Sequence, residues 1–321
     1  MTARLPAIKF KEYVQLDGTR KLLVKQVGDG SIITRFDKTD LPRKKSDVVC
    51  PHFLELKWAY GCPFNCAWCF LKGTLRMLDT KTKPVVKDYC KVQKHIQSLF
   101  ENDGHSKEML NTGELADSLM TESARKPFSR FIIPLFEEQD SYKVLFLTKS
   151  TDVRNLAKIK DHEQTIVSFS LNASSVSERW ERAPHVRERI KAAGELADLG
   201  YEVRVRIDPI VPIEGWQSEY CTLIDSIFRE FVPSRITMGS LRGLQSTINN
   251  AQDKSWVSFL SEKSNWGKKI AFKIRYKMYA TLVEYLKSKC SYHNIALCKE
   301  TIGMWNQLDL DYRRIQCNCM L

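Results

Sequence analysis

Apolar and polar positions alternate over residues 10–16 and 21–27, which is the period-two pattern of half-buried strands. Asp17-Gly18 between them is a hairpin signal, and Asp29-Gly30 marks a further turn. From about residue 52 the pattern changes to strand–helix alternation. Short apolar runs at 53–60, 108–111, 143–148, 165–171, 202–207 and 235–239 predict strands. Stretches with helical spacing at 67–77, 113–119, 152–159, 185–199 and 218–231 predict helices between and after them. Six β–α units in series argue for an α/β fold with a parallel sheet or partial barrel, because parallel neighbours need crossover connections. Chemistry in such folds gathers at the C-terminal strand ends. That rule puts Gly61–Cys69, Asn111–Glu114, Thr148–Ser150, Ser170–Asn172, Asp208-Pro209 and Ser240–Arg242 around one mouth. A last helix is expected over 269–289, with Ile270, Ile274, Met278, Leu282 and Tyr285 on its apolar stripe. The chain thus divides into a β-rich extension (1–51), a barrel (52–245), and a helical extension with a cysteine-bearing tail (246–321).

Composition narrows the class. Of 321 residues, 43% are hydrophobic and 27% charged, which excludes a disordered or collagen-like chain. No apolar run approaches the roughly 18–20 residues that span a bilayer. The N-terminal residues hold no apolar core of a signal peptide, so a cytoplasmic location is expected. Ten cysteines in a reducing compartment point to metal rather than to a disulfide framework. The net charge is +12, and it is concentrated: residues 1–50 carry 11 Lys/Arg against 6 Asp/Glu, and residues 254–289 carry 9 against 2. Localised basic surface suggests a polyanionic partner, most simply nucleic acid. Within 254–289, Lys268, Lys269, Lys273, Arg275 and Lys277 interleave with Trp256, Trp266, Phe272, Tyr276 and Tyr279, a mixture suited to stacked bases and phosphates. An amphipathic helix with aromatics in the core and solvated lysines is the alternative.

The most informative segment is Gly61-Cys62-Pro63-Phe64-Asn65-Cys66-Ala67-Trp68-Cys69, a C-x3-C-x2-C spacing directly after a predicted strand. Three thiolates on one loop can hold three irons of a four-iron cluster and leave the fourth iron open. A structural zinc site normally takes four protein ligands, and no Cys or His follows at finger spacing. Zinc and three unrelated core cysteines are the competing readings.

This segment resembles the signature of radical S-adenosylmethionine (radical SAM) enzymes. The resemblance implies a radical SAM partial (β/α)6 barrel in which Cys62, Cys66 and Cys69 ligate a 4Fe-4S cluster and SAM occupies the remaining iron. One-electron reduction, supplied by a flavodoxin or ferredoxin, would cleave SAM to methionine and a 5′-deoxyadenosyl radical that abstracts hydrogen from an unactivated carbon. Thr112, Gly113 and Glu114 resemble the Gly-Gly-Glu motif that meets the SAM amino group, with a helix N-cap as the alternative. Lys149 would pair with the SAM carboxylate, Ser170 and Asn172 with the ribose, and Trp68 would stand beside the cofactor.

Gly61–Thr74, Leu147–Lys149, Ser168–Asn172 and Asp208–Ile210 together resemble the spore photoproduct lyase-like branch, over roughly residues 50–245. That branch repairs a thymine photoproduct in DNA. The sequence departs from it at two places. Tyrosines flank the third cluster cysteine in the lyases, where Trp68 and Phe70 stand here. A hydrogen-donor cysteine follows their second strand, where Asn111 stands here. The expectation is therefore rearrangement or modification of a nucleobase, such as a modified thymine in DNA. Classical repair, radical chemistry on a peptide or metabolite, and a metal-stabilised nucleic-acid-binding protein remain as alternatives. Arg206 and Asp208 are candidate catalytic residues, with an internal ion pair as the structural alternative. Cys298, Cys317 and Cys319, with Cys50 or Cys290, are candidate ligands of an auxiliary cluster or zinc, against buried free thiols.

Overall fold

A computed structural model describes residues 5–102 and 107–321. The first four residues of the expected N-terminal extension, and residues 103–106 of the expected barrel, lie outside it. Ten strands form one sheet: β1 (Ile8–Val14), β2 (Arg20–Val27), β3 (Ile33–Phe36), β4 (Phe53–Leu56), β5 (Glu108–Asn111), β6 (Tyr142–Thr148), β7 (Thr165–Leu171), β8 (Glu202–Ile210), β9 (Arg235–Ser240) and β10 (Ile295–Leu297). They are laid side by side in chain order. β1 to β4 pair antiparallel, and every pairing from β4 to β10 is parallel. The main helices are α1 (Tyr89–Asn102), α2 (Phe128–Glu137), α3 (Val186–Asp198), α4 (Trp216–Glu230) and α5 (Phe272–Cys290). Among the described residues no helix is long and apolar enough to cross a membrane.

The predicted strands on 108–111 and 165–171 fall on β5 and β7, and the helices at 185–199 and 218–231 fall on α3 and α4. Three predicted helices do not form as drawn. Residues 113–119 are irregular, 152–159 hold only a 3-10 turn at Leu156–Lys158, and 67–77 hold only the single turn Leu71–Thr74. α1 and α2 take their places as the crossovers. α1 buries Val92, Ile96 and Leu99 on one face. α2 carries Pro134 in its interior, which hides it from a reading that treats proline as a stop. α5 starts at Phe272 because Gly267–Lys269 is a short strand, and Ile274 faces solvent instead of the core.

Alternation along the parallel strands divides the molecule into two layers. On β8, Val203, Val205 and Ile207 are buried in the main hydrophobic core, while Arg204, Arg206 and Asp208 make polar contacts on the other face. Ser168 and Ser170 hold the equivalent polar positions on β7. This polar lumen is closed in two ways. Val48, just before β4, bridges Thr301, just after β10, and Val49 N donates to Glu300 O, so the two margins of the parallel set meet. The C-terminal tail then enters the lumen. Asn318 donates to Ser168 Oγ (2.7 Å) and Val205 O (2.9 Å) and accepts from Thr237 Oγ1 (2.8 Å).

Candidate active site

The cysteine loop is shaped by its glycine. Gly61 has φ +85°, and a Cβ there would stand 2.2 Å from Lys83 O, so only glycine fits. Gly61 N donates to Leu115 O, and Gly61 bridges Ala116, which seats the loop beside the Gly113-Glu114 segment. The backbone then turns through Cys66–Cys69, with Cys69 N donating to Cys66 O (3.2 Å). The Cys62 thiol accepts from the Phe64 backbone N–H and the Cys69 thiol from that of Leu71. Burial pushes all three thiols up, Cys66 to about 12. Such buried thiols become thiolates only when a metal takes the proton's place. Three soft donors on one loop, two with N–H groups aimed at sulfur, fit an iron–sulfur cluster.

Cys66 and Cys69 open onto a cavity of about 360 Å³. Of the other residues expected at the site, Trp68, Glu114, Lys149, Ser170, Arg206 and Asp208 line it. Trp68 packs on Trp180 with ring centroids 5.6 Å apart. Thr112 and Asn172 do not reach it. Thr112 is buried and donates to Leu145 O (2.7 Å), closing a strand end rather than meeting a ligand. Asn172 is fully buried and donates to Pro209 O (2.9 Å) while accepting from Tyr220 OH (2.8 Å), so its amide is turned into the fold and away from the cavity. Gly113 serves close packing, since a Cβ there would stand 2.4 Å from Leu147 Cβ.

Lys149 is an ion-pair partner within this site. Its Nζ lies 2.7 Å from Glu181 Oε1, and Glu181 Oε2 lies 2.9 Å from Arg189 Nη1. Burial alone would raise the Glu181 pKa, but Lys149 and Arg189 outweigh it and hold the carboxylate below its usual range. Arg189 also donates to Ser170 O, so the network braces the β7 strand end. Asp117, fully buried, accepts from Thr148 Oγ1 and Lys149 N, both at 2.7 Å, and orders the β6 strand end. Sequence reasoning passed over Glu181, Arg189 and Asp117. They were hidden because each follows its strand by many residues and reaches the site through a side chain.

Across the cavity, Arg242 grips Asp208 with two bonds of 2.8 Å, and Arg206 Nε stands 3.6 Å from the same carboxylate. Burial pulls Asp208 upward, but Arg242 and Arg206 bring it down to about 2. These residues are therefore ion-paired, as the structural alternative for them had it. Glu55, beside Glu114, was also missed; burial first, and Glu114 second, raise it to about 7.

Two of the five expected nucleic-acid contacts are withdrawn from solvent. Lys269 Nζ is buried against Glu300 Oε1 (2.8 Å), and Arg275 is buried between Glu300 and Glu262. Glu300, which lies outside the basic stretch and so outside a local charge count, forms ion pairs with both, and Glu262 with Arg275 as well. Lys273 and Lys277 are exposed, and Lys268 is half-buried. Trp256 and Tyr279 are buried in the core.

A family model described as spore photoproduct lyase matches residues 52–241, more than half of the chain. The chain belongs to the spore photoproduct lyase family. The family is one of radical SAM enzymes, which use a 4Fe-4S cluster and S-adenosylmethionine. The spore photoproduct lyases of Bacillus subtilis and Clostridium acetobutylicum are 27% and 22% identical over 179 and 178 residues, covering 54% and 53% of this chain. The chain spans about half the length of these curated relatives, 50% of each. Among solved structures, a spore photoproduct lyase complexed with dinucleoside spore photoproduct is similar with a TM-score of 0.63. The identity is 16%, over 81% of this chain and 78% of that one. A mutant of that enzyme with bound AdoMet and dinucleoside spore photoproduct gives the same TM-score at 17% identity. At such identities the likeness concerns the fold.

Proposed function

We propose that this chain is a radical SAM enzyme that abstracts hydrogen from a nucleobase, a thymine or modified thymine in DNA, and rearranges or modifies it. The observation that carries this reading is one cavity shared by Cys66, Cys69, three strand-end polar groups and a ring of cations. Cys62, Cys66 and Cys69 would hold the cluster. When bound, cluster and SAM together supply the reductive cleavage of the sulfonium and the radical that starts the reaction. The chain's own residues orient and enclose. Glu114 would accept from the SAM ammonium, and Lys149, fixed by Glu181, would stand near its carboxylate. Ser170 offers a hydroxyl on the same wall. Lys38, Arg206, Arg242 and Lys299 also line the cavity, which suits an anionic, phosphate-bearing substrate. Exposed Lys9, Lys11, Lys21 and Lys25 on β1 and β2, with Lys273 and Lys277, would hold the flanking polyanion. Likeness to structures that hold dinucleoside spore photoproduct supports a thymine-type substrate.

Phe70 and Trp68 supply no phenol, and Asn111 no thiol. A rearrangement whose product radical takes its hydrogen back from 5′-deoxyadenosine needs neither. A thiol does stand beside Asn111: Cys319 Sγ is 3.8 Å from Asn111 Nδ2. Were Cys319 a hydrogen donor, repair-type chemistry would be favoured instead.

Anaerobic incubation of the cluster-loaded protein with SAM, dithionite and single-stranded DNA carrying deuterated thymine should move deuterium into the 5′ carbon of SAM or 5′-deoxyadenosine. No such label, with the cluster present, would sink the enzymatic reading. In D2O a rearranged product should stay unlabelled. A thiol exchanges with solvent, so deuterium in the product would favour thiol return. DNA affinity should fall steeply as salt rises, and an absence of binding at low salt would move the substrate to a peptide or metabolite.

A further inference from the structure

Four cysteines from three separate segments converge on the wall of the cavity reached by β8 and β10. They are Cys50 before β4, Cys298 just after β10, and Cys317 and Cys319 on the inserted tail. None is in a disulfide. The Cys317 and Cys319 thiols are hydrogen-bonded to each other, and each of the four lies within electrostatic reach of others in the set. Cys290, the other candidate, sits on α5 beside Asp225, away from the group.

The surroundings suit an anionic sulfur centre. Arg206 Nη2 donates to Cys298 Sγ at 3.0 Å, and Arg242 Nη2 stands 3.6 Å from it. Asn111 Nδ2 donates to Cys319 Sγ, and Lys299 Nζ reaches the Cys50 thiol. Among the described residues Arg206 Nε has no hydrogen-bond partner. Three cations, Arg206, Arg242 and Lys299, face two carboxylates, Asp208 and Glu114, and the surplus positive charge is directed at the thiols. Free thiols in a core would not need this, since neutral S–H groups pack as small hydrophobes.

We propose that Cys50, Cys298, Cys317 and Cys319 bind a second iron–sulfur cluster, fully ligated by protein. A single ion fits less well. Among the described residues no three His, Cys, Asp or Glu side chains are arranged to hold one metal ion. A cubane spaces its thiolates further apart, because each binds a different iron. The Cys62, Cys66 and Cys69 side chains are likewise not arranged around one ion. Four ligands close every iron of the second cluster, so it offers no open position to SAM. It also fastens the tail to both margins of the barrel.

The test is metal counting, which stands apart from the activity proposed above. Full-length protein reconstituted anaerobically with ferrous iron and sulfide should carry about eight irons and eight sulfides per chain. The variant Cys62→Ala/Cys66→Ala/Cys69→Ala should keep about four of each, with a reduced-cluster electron paramagnetic resonance signal. Cys317→Ser/Cys319→Ser should lose about four and still cleave SAM. Wild-type protein holding only about four irons would overturn the proposal whatever the variants do. So would a Cys317→Ser/Cys319→Ser variant with undiminished iron, or one zinc and no iron in the triplet variant. Loss of the second cluster alone leaves SAM cleavage standing, so the two readings fail separately.

Discussion

Glu181 carries two cations into the barrel wall, and its substitution tests how far that wall depends on charge. Both its oxygens are engaged, by Lys149 and Arg189, and all three side chains are largely or wholly shielded from water. In Glu181→Gln the Arg189 guanidinium stays buried without its counter-charge. Removing one partner of a buried pair typically costs 3–5 kcal/mol; the remaining bonds of Arg189 to Ser170 O and Ser177 Oγ put the expected loss at about 3 kcal/mol, read by urea denaturation. Glu55 behaves in the opposite sense. Its folded pKa of about 7 lies above the ordinary value of 4.5. The folded protein therefore keeps a proton that the unfolded chain gives up. The stabilisation is complete below about pH 4.5 and is lost as pH rises through 7. Glu55→Gln should leave stability little changed at pH 4 and raise it at pH 8, by up to roughly 3 kcal/mol. Equal effects at both pH values would show that Glu55 ionises normally.

At the level of elements, the parallel strands were legible because buried runs of β-branched and aromatic residues announce themselves, and Thr165–Leu171 is buried at every position. The cysteine spacing was legible because all three residues sit on one loop. What failed was local reasoning about crossovers and strand ends. Thr112 and Glu114 look like a helix start, yet Asn111 Oδ1 accepts from Gly113 N and turns the chain into an irregular segment. Lys269 and Arg275 look like a basic face, yet Glu300, 31 and 25 residues away, forms ion pairs with both. The convergence of Cys50, Cys298, Cys317 and Cys319 spans most of the chain and needs tertiary structure to be seen. The cluster loop itself hangs on Gly61, where positive φ and the neighbouring Lys83 carbonyl both exclude a side chain. Gly61→Ala should cost roughly 2–3 kcal/mol and reduce iron bound by the Cys62–Cys69 loop. Normal iron content in a Cys317→Ser/Cys319→Ser background would contradict this.

For the whole molecule, the tail completes the closure of the lumen. β1 and β10 are the sheet's two free margins; the Val48–Thr301 bridge joins the ends of the parallel set, and the tail fills the polar lumen inside it. The last residues supply hydrogen-bond partners to three successive strands. Besides the Asn318 side chain, Arg204 Nη1 donates to Asn318 O (3.1 Å), and Arg235 Nη1 donates to Cys317 O (2.9 Å) and Met320 O (2.7 Å). Deleting residues 316–321 strips these partners from buried Arg204, Thr237 and Ser168, for a loss on the order of 3–5 kcal/mol. Limited proteolysis should then cut the chain under conditions where the intact protein resists. Asn318→Ala separates hydrogen bonding from metal binding, because it retains both tail cysteines. It should cost about 2 kcal/mol while leaving total iron unchanged, whereas the deletion should lose stability and about half of the iron together. Were Asn318→Ala to release the same iron as the deletion, the tail would be held by its amide first and by metal only as a consequence. If instead the deletion kept all the iron and lost only stability, the tail would be a polar plug, and its two cysteines would be bystanders in the lumen.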